Sequence, residues 1–113
     1  MESPEHVRGA ILYILKMYLE REHGPDEGNG YMLMGNLQAH LALYYRVHMS
    51  EGQLNGYLTT LKDAAYVQYK EQRIGVPPNA HKELFWRITG PGMLLISGER
   101  EDPIVAVPKW LRR

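Results

Sequence analysis

The chain has 113 residues, with 13 lysines and arginines balanced by 13 aspartates and glutamates, so its formal net charge is zero. That length supports one domain around a single modest core, and the balance excludes the strongly basic footprint of an obvious nucleic-acid binder. The absence of cysteine removes disulfides, thiolate nucleophiles and most structural zinc schemes, and is compatible with a reducing cytoplasm.

At 44% hydrophobic and 23% charged residues the composition is that of an ordinary soluble globular protein. No stretch approaches the roughly 20 apolar residues of a membrane span. Residues 1–9 carry Glu2, Pro4, Glu5 and His6 and do not read as a signal peptide. The charge is unevenly spread. Residues 1–30 hold six acids against three bases, and residues 31–113 hold ten bases against seven acids.

Ser3-Pro4 opens a first helix, with serine as cap and proline at the first helical position, where its missing N–H is harmless. Val7, Ile11, Ile14 and Tyr18 form one apolar stripe, and Leu12, Leu15 and Leu19 form a second beside it. A helix apolar over so much of its girth is buried on more than one side. The second stripe therefore faces either a subunit interface or a wide contact within the chain. Gly24-Pro25 ends this helix, and residues 26–30 make an exposed loop. Tyr31-Met32-Leu33-Met34 reads as a brief strand or as the approach to helix two. That helix runs from about Asn36, with Leu37, Leu41, Tyr44 and His48 on its inner side and with Val47 and Met49 in the following turn.

Helix three carries the clearest local signals. Ser50 is a good N-cap and Gln53 falls three residues later, which makes Ser50-Glu51-Gly52-Gln53 a capping box. Leu54, Leu58, Leu61 and Ala65 recur at helical spacing as one apolar stripe. The opposite surface carries Gly52, Asn55, Gly56, Thr59, Thr60 and Asp63. Two glycines destabilise a helix, and a helix that lets another molecule approach its backbone has a use for them; the alternative is a plain solvated face. Residues 67–74 alternate and suit a strand, 75–82 are rich in turn formers, and 83–88 read as the returning strand. Thr89-Gly90-Pro91-Gly92 breaks that strand before a short helix over 93–97. The end is extended, with two prolines and Trp110 flanked by Lys109, Arg112 and Arg113.

No catalytic constellation is present. The five histidines (6, 23, 40, 48 and 81) are scattered, and no carboxylate joins His40 and His48 on their helix to make a metal site. Gly28-Asn29-Gly30 lacks the Gly-Lys-Ser/Thr of a phosphate loop, and Ser3, Ser50 and Ser97 lie in no nucleophile elbow. The expectation is a non-enzyme with no catalytic residue, metal or cofactor.

Val47-His48-Met49-Ser50 followed by Leu54 resembles the turn and first buried position of the recognition helix in bacterial MarR-like and PadR-like regulators. Leu61-Lys62-Asp63-Ala64-Ala65-Tyr66-Val67 is similar to their exit from that helix into the wing. Phe85-Trp86-Arg87-Ile88-Thr89-Gly90-Pro91-Gly92 is similar to their segment after the wing. Together these landmarks cover about residues 7–98. The chain departs from the pattern at Ala65, where glycine is usual, and at Gly90-Pro91, where a basic residue is common.

The resemblance implies an α+β winged helix-turn-helix fold with a three-helix core, a β-hairpin wing, and a short C-terminal helix and tail. It divides one domain, 1–113, into a first helix and loop (1–30), a helix-turn-helix (31–67), a wing hairpin (66–89) and a C-terminal segment (90–113). It also implies DNA binding, usually as a homodimer and usually for transcriptional control; the expectation is sequence-specific binding of double-stranded DNA in the cytoplasm.

In that reading helix 50–65 enters the major groove, where base edges are distinguishable. Asn55 and Thr59 would meet base edges, while Tyr57, Thr60 and Lys62 would reach phosphates. Ser50 at the helix N-terminus could hold a phosphate, and Gln53 is less free because the capping box occupies its amide. Gln38 and Arg46 would touch the backbone. Lys70, Gln72, Arg73, His81 and Lys82 would lie along flanking phosphates or the minor groove. Between residues 46 and 82 only five bases face three acids, so the DNA reading is tied to a dimer, formed through helix one and the C-terminal segment. The alternative is a winged-helix protein-interaction module using Tyr57, Tyr69 and Trp110. A ligand pocket lined by Tyr13, Tyr18 and Trp110 is a further possibility without a specified ligand.

Overall fold

The computed structural model describes residues 3–21 and 30–107. In chain order its elements are α1 (Pro4–Arg21), β1 (Met32–Leu33), α2 (Met34–Tyr45), α3 (Glu51–Asp63), β2 (Val67–Ile74), β3 (His81–Ile88) and α4 (Gly90–Ile96). The strands form one antiparallel sheet in the order β1-β3-β2. Gly24-Pro25, most of the loop 26–30, and the segment with Lys109, Trp110, Arg112 and Arg113 lie outside the described residues.

α1 is the central beam. Most of both apolar stripes is buried inside the chain: Val7, Ile11 and Ile14 on one side, Leu12 and Leu15 on the other, with Leu12 and Leu15 at 0% exposure, while Tyr18 and Leu19 at the C-terminal end are half-buried. It packs on α2, α3, α4 and β3 at once. Wide burial within the chain is thus the role of the second stripe, and Leu12 and Leu15 have no apolar surface left for another subunit.

The two readings of residues 31–34 merge. Met32 and Leu33 pair with Trp86 and Phe85 of β3, and Met34 already begins α2. The helix starts earlier than the expected Asn36 because its N-cap is Leu33, whose side chain makes no capping hydrogen bond and so leaves no sequence signal. Its buried residues are Met34, Leu37 and Leu41, and Tyr45 in the last turn is partly buried against the core. Tyr44, expected inside, is instead 73% exposed, and Leu43 beside it is 74% exposed; His48 is exposed as well. Val47 and Met49 are partly buried against the core, as expected. Gln38 donates its amide to the Met49 carbonyl at 2.8 Å and braces the turn.

α3 begins with the expected capping box. The Ser50 hydroxyl accepts from the Gln53 N–H at 3.1 Å, and the Gln53 carbonyl oxygen accepts from the Ser50 N–H at 2.9 Å. Leu54, Leu58 and Leu61 are fully buried. Ala65, expected on that stripe, is exposed and sits beyond the helix at φ 69°. The Tyr66 N–H donates to the Leu61 carbonyl and the Ala65 N–H to the Lys62 carbonyl, both at 2.9 Å. That pair of bonds is the Schellman closure, which places its left-handed residue where glycine fits best. Alanine holds a left-handed conformation at a cost of about 1 kcal/mol. Ala65→Gly is therefore expected to raise stability by up to about 1 kcal/mol, read as a higher urea midpoint with an unchanged slope.

β2 and β3 pair in register from Val67 opposite Ile88 to Ile74 opposite His81, so β3 starts two residues before the expected Glu83. The base of this hairpin is knotted to the end of α3. Thr89 donates its N–H to the Tyr66 carbonyl at 3.0 Å and its hydroxyl to the Ala65 carbonyl at 2.6 Å. The same hydroxyl accepts from the Gly92 N–H at 3.2 Å and so caps α4, which starts at Gly90.

The segment after α4 returns across the molecule. The Ala106 N–H donates to the Glu5 carbonyl at 2.9 Å, the Arg8 guanidinium donates to the Ile104 carbonyl at 2.8 Å, and Val105 and Val107 are buried. The Tyr66 hydroxyl donates to the Asp102 carboxylate at 2.5 Å. Burial, then this bond, push the Tyr66 phenol above its ordinary pKa, while the same bond holds Asp102 below the usual carboxylate range. The described part of the tail therefore straps α1 to the exit of α3 within the chain.

Candidate nucleic-acid interface

The outward face of α3 is small and polar. Gly52, Asn55, Gly56, Lys62 and Asp63 are exposed, and Thr59 and Thr60 are half-buried. A Cβ added at Gly56 would meet nothing within 4 Å, and one at Gly52 would meet only the Ser50 hydroxyl at 3.9 Å. Neither glycine is required by packing or by backbone conformation. Asn55 and Thr59 stand beside them. The Thr60 hydroxyl bonds back to the Gly56 carbonyl at 3.2 Å.

Of the other expected site residues, Ser50 and Gln53 are exposed but spend their side chains on the capping box. The Lys62 ammonium lies 5.5 Å from the Tyr69 ring centroid, at the junction of α3 and the hairpin. Tyr57 is half-buried and turned toward α1, where the Arg8 guanidinium lies 5.9 Å from its ring centroid. Arg46 is exposed at the C-cap of α2 with φ 56°. Gln38 is half-buried against the turn.

Strand alternation divides the hairpin charges. Arg73 and Lys82 face each other on the side of the sheet that carries Tyr69 and Trp86. The Lys82 ammonium is 3.9 Å from the Glu71 carboxylate, an exposed pair worth little in water. Lys70 falls on the opposite side with Gln72 and His81. There its ammonium sits 4.5 Å from the Tyr31 ring centroid, with Arg87 at 5.9 Å from the same ring. His81 contacts Glu83 at 2.9 Å. Asn55, Thr59 and Lys62 recur at helical spacing on α3, and Lys62 meets Tyr69, which shares its side of the sheet with Arg73 and Lys82, whereas Lys70 falls on the other side.

Arg8 was not legible as a site residue. Nothing in the first helix marks it, and only the tertiary fold sets it beside Tyr57. Among the described residues no group of three or more His, Cys, Asp or Glu side chains could hold a metal ion. No described helix is long and apolar enough to cross a membrane.

Neither a protein-family model nor a curated protein sequence matches the chain. Solved structures do. One is a protein from Thermoplasma acidophilum assigned as a transcriptional regulator, with TM-score 0.54 and 20% identity over 77% of this chain and 71% of that one. Another is Bacillus subtilis PadR in complex with operator DNA, with TM-score 0.61 and 15% identity over 91% of this chain and 52% of that one. The fold is a winged helix. α2 and α3 are its helix-turn-helix, and β2–β3 is its wing. This winged helix spans about half the length of the PadR chain it matches.

Proposed function

We propose that this chain binds double-stranded DNA sequence-specifically, as a homodimer, and regulates transcription. α3 lies in the major groove, with Asn55 and Thr59 at base edges and Arg73 and Lys82 on flanking phosphates. One observation carries the reading. α3 keeps Gly52 in its first turn and Gly56 in its interior on its open face, the interior one costing about 1 kcal/mol of helix stability relative to alanine, where no tight contact with a described residue calls for glycine. A surface that must come close to another backbone uses such positions. The likeness to a regulator solved on its operator supports the reading. The chain acts without catalytic chemistry or cofactor, in the cytoplasm.

Dimerisation follows from electrostatics, because five bases and three acids between residues 46 and 82 hold one copy weakly. Two copies on adjacent half-sites double the phosphate contacts. With Leu12 and Leu15 fully buried, such a dimer needs other surface of α1 or of the chain.

The test is titration of a fluorescent fragment of the protein's own upstream DNA at two salt concentrations, with unlabelled competitor. Tight binding that survives competitor and weakens about a thousandfold between 50 and 200 mM salt, as for some six phosphate contacts, is the expected result. No binding at the lower salt rules the reading out.

A second reading, a protein-interaction module, is favoured by the exposure of Leu43 and Tyr44 on α2. It expects partner binding that is insensitive to salt and lost on Tyr44→Ala or Tyr69→Ala.

A further inference from the structure

Between the first turns of α1, the α2–α3 turn and α3 lies a cleft of about 690 Å³, walled by Arg8, Arg46, His48, Gln53, Gly56 and Tyr57. Among the described residues no aspartate or glutamate lines it. Glu5, one turn away on α1, attracts the Arg8 charge without being part of the wall. Its described lining thus carries two arginines and no carboxylate, on a chain that is neutral as a whole.

Three details distinguish this cleft from ordinary surface. The Nε of Arg8 is buried and has no hydrogen-bond partner, although its Nη1 is fixed on the Ile104 carbonyl at 2.8 Å. A buried donor left unpaired is expensive, and a small turn of the Arg8 side chain toward the cleft would let an anion there satisfy it. Arg46 holds a left-handed backbone at φ 56°, an uncommon conformation for a long side chain, and the Arg46 and Val47 N–H groups both turn back onto the Leu41 carbonyl. Gly56 adds no side chain to the wall, so the cleft stays open along α3.

We propose that this cleft binds a phosphate group, with the guanidinium groups of Arg8 and Arg46 as its donors and the Tyr57 ring as its wall. Planar guanidinium forks match phosphate geometry and stay charged at any working pH. The phosphate can belong to a free ligand or to a DNA backbone following α3; the site is the same in both cases. The inference stands on the cleft itself and holds whether or not α3 reads bases.

The experiment follows the Arg8 Nε–H and Tyr57 amide resonances of the full chain by NMR. Inorganic phosphate, chloride at matched ionic strength, and a short DNA duplex are each titrated in. Arg46→Gly serves as the variant, since glycine suits the left-handed backbone and preserves the fold; Arg8→Gln is the second. Saturable shifts with inorganic phosphate but not chloride, weakened about tenfold in Arg46→Gly as for loss of one charged hydrogen bond, support the site with a free ligand as its source. Shifts with duplex alone, weakened in the same variant, support it with DNA as the source. Absence of shifts with both probes, or shifts equal in wild type and Arg46→Gly, overturns the proposal. Duplex binding that moves α3 resonances but leaves Arg8 and Tyr57 still would overturn this site while leaving the groove reading intact.

Discussion

Gly92→Ala is expected to lose about 3 kcal/mol of stability, near the upper end of what forced overpacking costs. A Cβ on Gly92 would stand 2.4 Å from the Tyr66 carbonyl oxygen and 2.7 Å from the Ile88 Cγ1. The oxygen belongs to backbone and cannot swing aside, since it already accepts the Thr89 N–H at 3.0 Å. Relief would have to come from moving α4 or the exit of α3. Either shift breaks the Thr89 hydroxyl bonds to the Ala65 carbonyl and the Gly92 N–H. The gain of helix propensity from alanine, about 1 kcal/mol, offsets only part of this. Urea unfolding reads the result as a lower midpoint at unchanged slope. An unchanged midpoint would mean that α4 does not seat against the exit of α3.

Gly56→Ala is expected to act in opposite directions on folding and on binding. Its Cβ would enter open space, so the helix gains about 0.5–1 kcal/mol. DNA affinity is expected to fall by about tenfold to a hundredfold, the effect of about 1–3 kcal/mol of lost close contact at the groove. Thermal unfolding and duplex titration on the same preparation read both. A more stable protein with unchanged affinity would show that this face of α3 does not meet the DNA. Because the fold is strengthened, weaker binding cannot be attributed to unfolding.

Features set by local chemistry were legible in the sequence. The capping box at Ser50 and Gln53, the buried Leu54, Leu58 and Leu61, and the pairing of residues 67–74 with the returning strand all depend on near neighbours. The errors lie where local chemistry is silent. The start of α2 has no side-chain cap, and at its last turn periodicity leaves Tyr44 and Tyr45 on either edge of the stripe of Met34, Leu37 and Leu41; Tyr45 packs on the core and Tyr44 stands in solvent. Helical spacing alone puts Ala65 on the apolar stripe, whereas its left-handed backbone follows from the helix exit, where glycine is usual.

The candidate site divides in the same way. The open face of α3 follows from helical periodicity, and its glycines can be read directly. Arg8 cannot, because its place beside Tyr57 depends on α1 crossing α3 and on the returning tail, where Ile104 accepts its Nη1. Lys70 and Arg73, close in sequence, separate because strand alternation sends them to opposite faces. The two stripes of α1 were legible as apolar, but only the positions of β3 and α4 decide that both are covered within the chain.

The measurement that bears most directly on the groove-reading claim is an amide NMR titration of the intact chain with a duplex taken from its own upstream DNA. The predicted result is a set of saturable shifts centred on residues 52–60 of α3, with a second set near Arg73 and Lys82. Shifts confined to the exposed α2 surface around Leu43 and Tyr44, or none at low salt, would contradict it.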